Sequence, residues 1–92
     1  MPKDLRKAAK LYQKAADQGY ALAQNNLGLL YENGEGVPKD LCKAAALYQK
    51  AADQGHALAQ NNLRLLYENG WGVPKDLEKA RELYQKAADQ GF

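Results

Sequence analysis

The sequence predicts an all-α protein: an α/α right-handed superhelix, or solenoid, of about two and a half 36-residue helix-turn-helix repeats with five helices. Three observations carry this. Residues 2–37 and 38–73 differ at only five positions (Arg6/Cys42, Lys10/Ala46, Tyr20/His56, Gly28/Arg64 and Glu35/Trp71), and a partial third copy fills 74–92. A fixed period of this length marks an array in which each unit buries its apolar face on its neighbours. Within each copy, apolar residues recur at helical spacing behind an aspartate, and a second apolar stripe ends at Asn-Gly. The whole chain, 1–92, reads as a single domain.

The first, third and fifth helices are expected at about 4–18, 40–54 and 76–90. Asp4, Asp40 and Asp76 precede them, and an aspartate side chain accepts a bond from a free amide of the first turn. The prolines at 2, 38 and 74 end the preceding segment. In the middle copy Leu41, Ala44, Ala45, Tyr48, Ala51 and Ala52 form one stripe. Its alanines let a neighbouring helix come close. Gly55 suits the left-handed position after a helix end. These are the B-type helices. The A-type helices follow at Ala21 to Asn33 and Ala57 to Asn69, with core stripes Ala23, Leu27, Leu30, Tyr31 and Ala59, Leu63, Leu66, Tyr67. Asn-Gly stops each of them. Short loops, Gly34 to Pro38 and Gly70 to Pro74, lead into the next B-type helix.

The stretch from Ala21-Leu22-Ala23-Gln24-Asn25-Asn26-Leu27-Gly28 through Gly55 carries A-x-A-Q-x-N-L-G-x-x-Y-x-N-G-x-G-V and then D-x-x-K-A-x-x-x-Y-x-K-A-A-x-x-G. This pattern resembles the Sel-one-like repeat (SLR), a relative of the tetratricopeptide repeat, and it covers essentially the whole chain. The resemblance implies a superhelix with a concave side lined by A-type helices. It also implies adaptor or scaffold work in protein complexes. Three departures stand out. Tyr20, His56 and Phe92 replace a small polar residue, which weakens the N-caps of the A-type helices. Arg64 replaces the family glycine kept at Gly28. Arg81 and Glu82 replace Ala45 and Ala46 and read as a polar outer face on the last helix.

Composition narrows the function classes. A net charge of +2 is too small for the dense basic patch that nucleic acid demands. One cysteine, Cys42, allows no internal disulfide framework. No apolar run approaches the roughly 20 residues needed to span a bilayer, so no membrane insertion is expected. The amino end enters a repeat at once without an apolar leader region, and the expected location is cytoplasmic. The chain has no serine or threonine, so hydroxyl nucleophiles of that kind are absent. Cys42 and the single histidine, His56, are too few for a metal site. Gly34-Glu35-Gly36 follows a helix and lacks the lysine of a phosphate-binding loop. No cofactor and no enzymatic activity are expected.

The candidate site lies on the A-type helices. At about 100° per residue, Leu22, Asn25, Leu29, Glu32 and Asn33 fall opposite the core stripe, as do Leu58, Asn61, Leu65, Glu68 and Asn69 in the next copy. One reading is a surface that happens to hold leucines, or filler between tightly curved repeats. The other is a groove with an apolar floor and an amide and carboxylate rim, suited to an extended peptide or partner helix. Trp71, between two glycines, is an accessory contact or simply packs on a helix end. Lys3, Lys7, Lys10 and Lys14 share one face of the first helix, where they solvate it or meet an acidic partner. The sequence reading is therefore a protein- or peptide-binding module, with a self-associating or engineered structural repeat as the alternative. Arg64 is expected partly exposed along a free flank, its charge in water.

Overall fold

The structure is a computed structural model in which residues 4–91 are described. Phe92 and Lys3, singled out above, lie outside the described residues. Five helices and no strands occur among those residues: α1 Leu5–Asp17, α2 Ala21–Asn33, α3 Leu41–Asp53, α4 Ala57–Asn69 and α5 Leu77–Asp89. Each packs mainly on the helix before it and the helix after it, as expected of a solenoid. The stack measures 39 × 24 × 24 Å.

The caps explain where the helices start. Asp4, Asp40 and Asp76 accept bonds from the amides of Lys7, Lys43 and Lys79 at 3.0–3.1 Å. Each bond satisfies one of the free donors of a first turn. Tyr20 and His56 stand at the N-caps of α2 and α4 in extended geometry and make no side-chain cap bond. The His56 Nε2 atom is buried without a hydrogen-bond partner. Gly34 and Gly70 end the A-type helices in the left-handed conformation.

The loops then turn back onto the preceding B-type helix. Gly72, with φ +76°, lies so close to Leu41 that a Cβ would collide with the Leu41 carbonyl. Gly36 makes the same approach to Leu5. The loop glycines are thus required twice over, by a positive φ and by a backbone contact.

Two apolar clusters make up the core. One gathers Ala9, Ala16, Ala23, Leu27 and Leu30 between α1 and α2. The other centres on Ala44, Tyr48, Ala51, Ala59, Leu63 and Leu66 between α3 and α4, and reaches Leu83 of α5. Half-buried Tyr31 touches both. The helix α3 buries five residues on two sides, since it alone has a B-type position with an A-type helix both before and after it. Arg81 and Glu82 of α5 are exposed, as their charges require.

Candidate functional site

The A-type helices α2 and α4 flank α3 and are tied directly to each other. Asn62 Nδ2 of α4 donates to Asn25 Oδ1 of α2 at 3.0 Å. A second tie runs through glutamines. Buried Gln24 donates to the Ala16 carbonyl at the end of α1, and its Oε1 accepts from Gln54 at the end of α3. Gln60 repeats this with the Ala52 carbonyl and with Gln90 of α5. Each latch fastens one A-type helix to the carboxyl ends of both B-type neighbours. Each of these carbonyls also accepts a backbone amide, that of Gly19 at Ala16 and that of Gly55 at Ala52. The recurring glutamines were visible in the sequence. Their bonding partners, eight and thirty residues away, were not.

On the face expected to bind, Leu22, Leu58 and Leu65 are 59%, 47% and 38% exposed. Asn33 and Asn69 are exposed beside them. Five other expected site residues are placed differently. Asn25 is buried and bonded to Asn62, so it belongs to the helix–helix contact and not to an open rim. Leu29 is half-buried and packs against the α3–α4 core cluster. Glu32 is half-buried and accepts the Tyr48 hydroxyl proton at 2.8 Å. Asn61 and Glu68 are held by Arg64. For Asn61 and Glu68 the cause is Arg64 one turn away on the same helix; for Asn25, Leu29 and Glu32 it is the neighbouring helices. An angle count gives a helix one buried side, whereas an A-type helix in this stack also meets its A-type neighbour and the following B-type helix. Trp71 is about half exposed and lies beside Glu32, Asn33, Lys39 and Leu41.

Arg64 is the main difference between the copies. At its counterpart Gly28, a Cβ would come within 2.6 Å of Tyr48 Cε1. The missing side chain lets the Tyr48 ring lie fully buried, 0% exposed, with its hydroxyl on Glu32. Burial, then the hydrogen bond to Glu32 and the charge of Glu32, all push the Tyr48 phenol well above its ordinary pKa. With an arginine at 64 the same pose is closed to Tyr84, which is 58% exposed. The Arg64 guanidinium sits 5.4 Å from the Tyr84 ring centre. It donates to Asn61 Oδ1 at 2.8 and 3.1 Å and to Glu68 Oε1 at 2.5 Å. The arginine is therefore half-buried and paired with Glu68, and its charge does not stand in water as the sequence suggested. The tyrosine moves aside; the helices remain packed.

The chain belongs to the Sel1 repeat family. That family matches at residues 1–20, 21–56 and 57–92, the whole length of the chain. Its segments keep the 36-residue period but start at the A-type helix, since a periodic array can be cut at any phase. Among solved structures, the chain is 42% identical to a Sel1 repeat protein from Oxalobacter formigenes, with a TM-score of 0.94 over 99% of this chain and 37% of that one. It is 43% identical to c5321, a protective antigen of uropathogenic Escherichia coli strains with an SLR fold. There the TM-score is 0.95 over 100% of this chain and 20% of that one. The chain thus spans about a third and a fifth of these two relatives. Comparison with curated proteins gives no match. Sel1 repeat proteins are generally protein-interaction modules. Among the described residues no group of three His, Cys, Asp or Glu could hold a metal ion, and no helix is long and apolar enough to cross a membrane.

Proposed function

We propose that the chain is a protein-interaction module that docks a peptide or protein partner on the α2–α4 face, through Leu22, Leu58 and Leu65. The supporting observation is that Leu22 and Leu58, at the same position of successive repeats, and Leu65, two turns further along α4, stand exposed on helices tied side by side. Scattered single leucines are ordinary on a surface. Leu22 and Leu58 recur at the repeat period, Leu65 extends them along α4, and an apolar strip of this kind marks a contact site. Asn33 and Asn69 flank it; Asn69 already donates to the Leu65 carbonyl, which leaves its Oδ1 free to accept from a partner backbone. With Glu32, Asn61 and Glu68 engaged inside the chain, affinity rests on the apolar strip.

The test is Leu22→Glu combined with Leu58→Glu. Both side chains are exposed, so stability should change by no more than about 0.5 kcal/mol per site. Peptides selected from a random library on the parent protein should lose binding to the double variant, because two charges would sit in the contact. Lys7→Glu with Lys14→Glu on α1 is the control and should bind as before. Retained binding by a folded leucine variant would overturn the reading. Sedimentation over a range of concentrations separates the self-association alternative: the strip would then hold copies of this chain together, and the same variant would be monomeric.

A further inference from the structure

Two depressions adjoin on the side of α2 that carries Tyr31. One, of about 270 Å³, lies between α1 and the loop into α3, and is lined by Leu27, Tyr31 and Val37 together with Arg6 and Lys10. The other, of about 210 Å³, lies between α1 and α3, and is lined by Tyr31 and Leu47 together with Lys43 and Lys50. Gln13 and Tyr31 belong to both, so the two form one groove. Its α1 wall is the side that packs on α2 through buried Ala9, which places the groove within the stack. Leu27 is buried and Tyr31, Val37 and Leu47 are half-buried, whereas the four cations are exposed. No aspartate or glutamate lines the groove. None of the four cations takes part in an ion pair among the described residues.

Comparison of the repeats singles out one wall. Lys43 stands 5.3 Å from the centre of the Tyr31 ring, in a cation–π contact, and Lys79 repeats this over Tyr67 at 5.5 Å. The opposite wall does not repeat. Cys42 and Ala46 of α3 stand where α1 has Arg6 and Lys10, and α5 has exposed Glu78 and Glu82 there. Two of the five differences between the complete copies thus fall on this wall, and both concern cations. An exposed helix face is solvated by charge of either sign, as α5 shows. Four cations with no acid among them leave a positive potential that an anionic partner complements. The floor narrows its class. The Tyr31 ring is already faced by Lys43, so it offers no open platform for a stacked base. Leu27 and Val37 lie recessed between helix and loop, out of reach of a flat lipid surface.

We propose that this groove docks an acidic segment of a partner protein, in which one apolar side chain is flanked by carboxylates. The apolar side chain enters the depression between Leu27, Tyr31 and Val37. The carboxylates meet Arg6 and Lys10 on one wall and Lys43 and Lys50 on the other. These pairings are charge-assisted, and Arg6 can take a carboxylate in bidentate fashion. The groove shares no residue with the leucine strip, so the two proposals stand or fall separately.

The experiment is an NMR titration of the 15N-labelled chain with the acetylated and amidated peptide Glu-Asp-Phe-Asp-Glu. Saturable shifts are expected at Tyr31, Val37 and Leu47, and binding should weaken with added salt. Arg6→Gln with Lys10→Gln alters only exposed side chains and should weaken binding about tenfold, as loss of two exposed ion pairs implies. Lys7→Gln with Lys14→Gln makes the same change of charge on α1 at residues that line neither depression. It should change binding by no more than about twofold, since charges in water are screened. The amide peptide Gln-Asn-Phe-Asn-Gln, and the acidic peptide with alanine for phenylalanine, should each bind about tenfold more weakly or worse. The Leu22→Glu, Leu58→Glu variant should bind the acidic peptide normally. No saturable shift at low millimolar peptide would overturn the proposal. So would equal binding of the amide peptide, an equal loss in the Lys7, Lys14 variant, or shifts confined to the face bearing Leu22 and Leu58. The same shifts at lower concentrations of oligodeoxythymidylate would make the groove a nucleic-acid site, and their appearance on concentrating the protein alone would assign it to a second copy; either result overturns the proposal.

Discussion

Tyr48 is the residue on which the middle of the stack turns. Its ring is fully buried against Gly28, and its hydroxyl is held by Glu32. The folded state keeps this phenol neutral, since its pKa is raised by burial first and by Glu32 second. In the unfolded chain a tyrosine ionises near pH 10 or so. Stability from this group is therefore complete below about pH 10 and falls as pH rises above it, by about 1.4 kcal/mol per pH unit. Tyr48→Phe should cost about 1 kcal/mol at neutral pH through the lost hydrogen bond. Above pH 10 its stability should decline less steeply than that of the parent. Urea unfolding from pH 8 to 11.5 checks this, and parallel declines would show that Tyr48 ionises freely in the folded protein. The identity of the buried tyrosine was legible in the apolar stripe of α3. The fate of Tyr84 was not, because it depends on what a Cβ at position 64 would touch, and a one-dimensional stripe does not report that. The sequence did place Arg64 on a flank, but its pairing with Asn61 and Glu68 arises from i, i+3 and i, i+4 neighbours that an expectation of free solvation passed over.

At the scale of the element, the two helix types begin differently. The B-type helices start with a bonded aspartate; the A-type helices start with Tyr20 and His56 and no side-chain cap. The Tyr20 backbone already has the extended geometry of an N-cap, and its ring is mostly exposed. Tyr20→Ser should therefore add about 0.5–1 kcal/mol, because a serine oxygen can accept from the Leu22 or Ala23 amide at little cost in packing. A thermal melt decides: a lower melting temperature would mean that the tyrosine ring contributes more than its exposure suggests. The bounds of α2 and α4 agree with the sequence expectation, and those of the B-type helices agree within one residue, since aspartate, glycine and Asn-Gly signals are local. The helix faces were only half legible. Leu22, Leu58 and Leu65 are open as expected, whereas Asn25 is not, because the partner that covers it, Asn62, lies thirty-seven positions away.

Across the whole molecule, stability is a sum of neighbour contacts, and the neighbours are unevenly shared. Within the stack α1 packs against α2 and α5 packs against α4, while α3 is enclosed on two sides and buries Ala44, Ala45, Tyr48, Ala51 and Ala52. The glutamine latches add to this asymmetry: the carboxyl end of α3 takes part in both, and those of α1 and α5 in one each. Local opening should follow the same order, since segments with fewer buried contacts open at lower free energy. Amide hydrogen exchange should be slowest in α3, intermediate in α2 and α4, and fastest in α1 and α5, with the most protected stretch running from Leu27 to Leu66. The Leu22→Glu, Leu58→Glu variant should keep this order, because neither leucine belongs to a core cluster. Equal protection from Leu5 to Ala88 would contradict it. That result would require the outer sides of α1 and α5 to be covered in solution, and exchange measured at a tenfold lower protein concentration would then expose them, because contacts between copies dissolve on dilution while contacts within one chain do not.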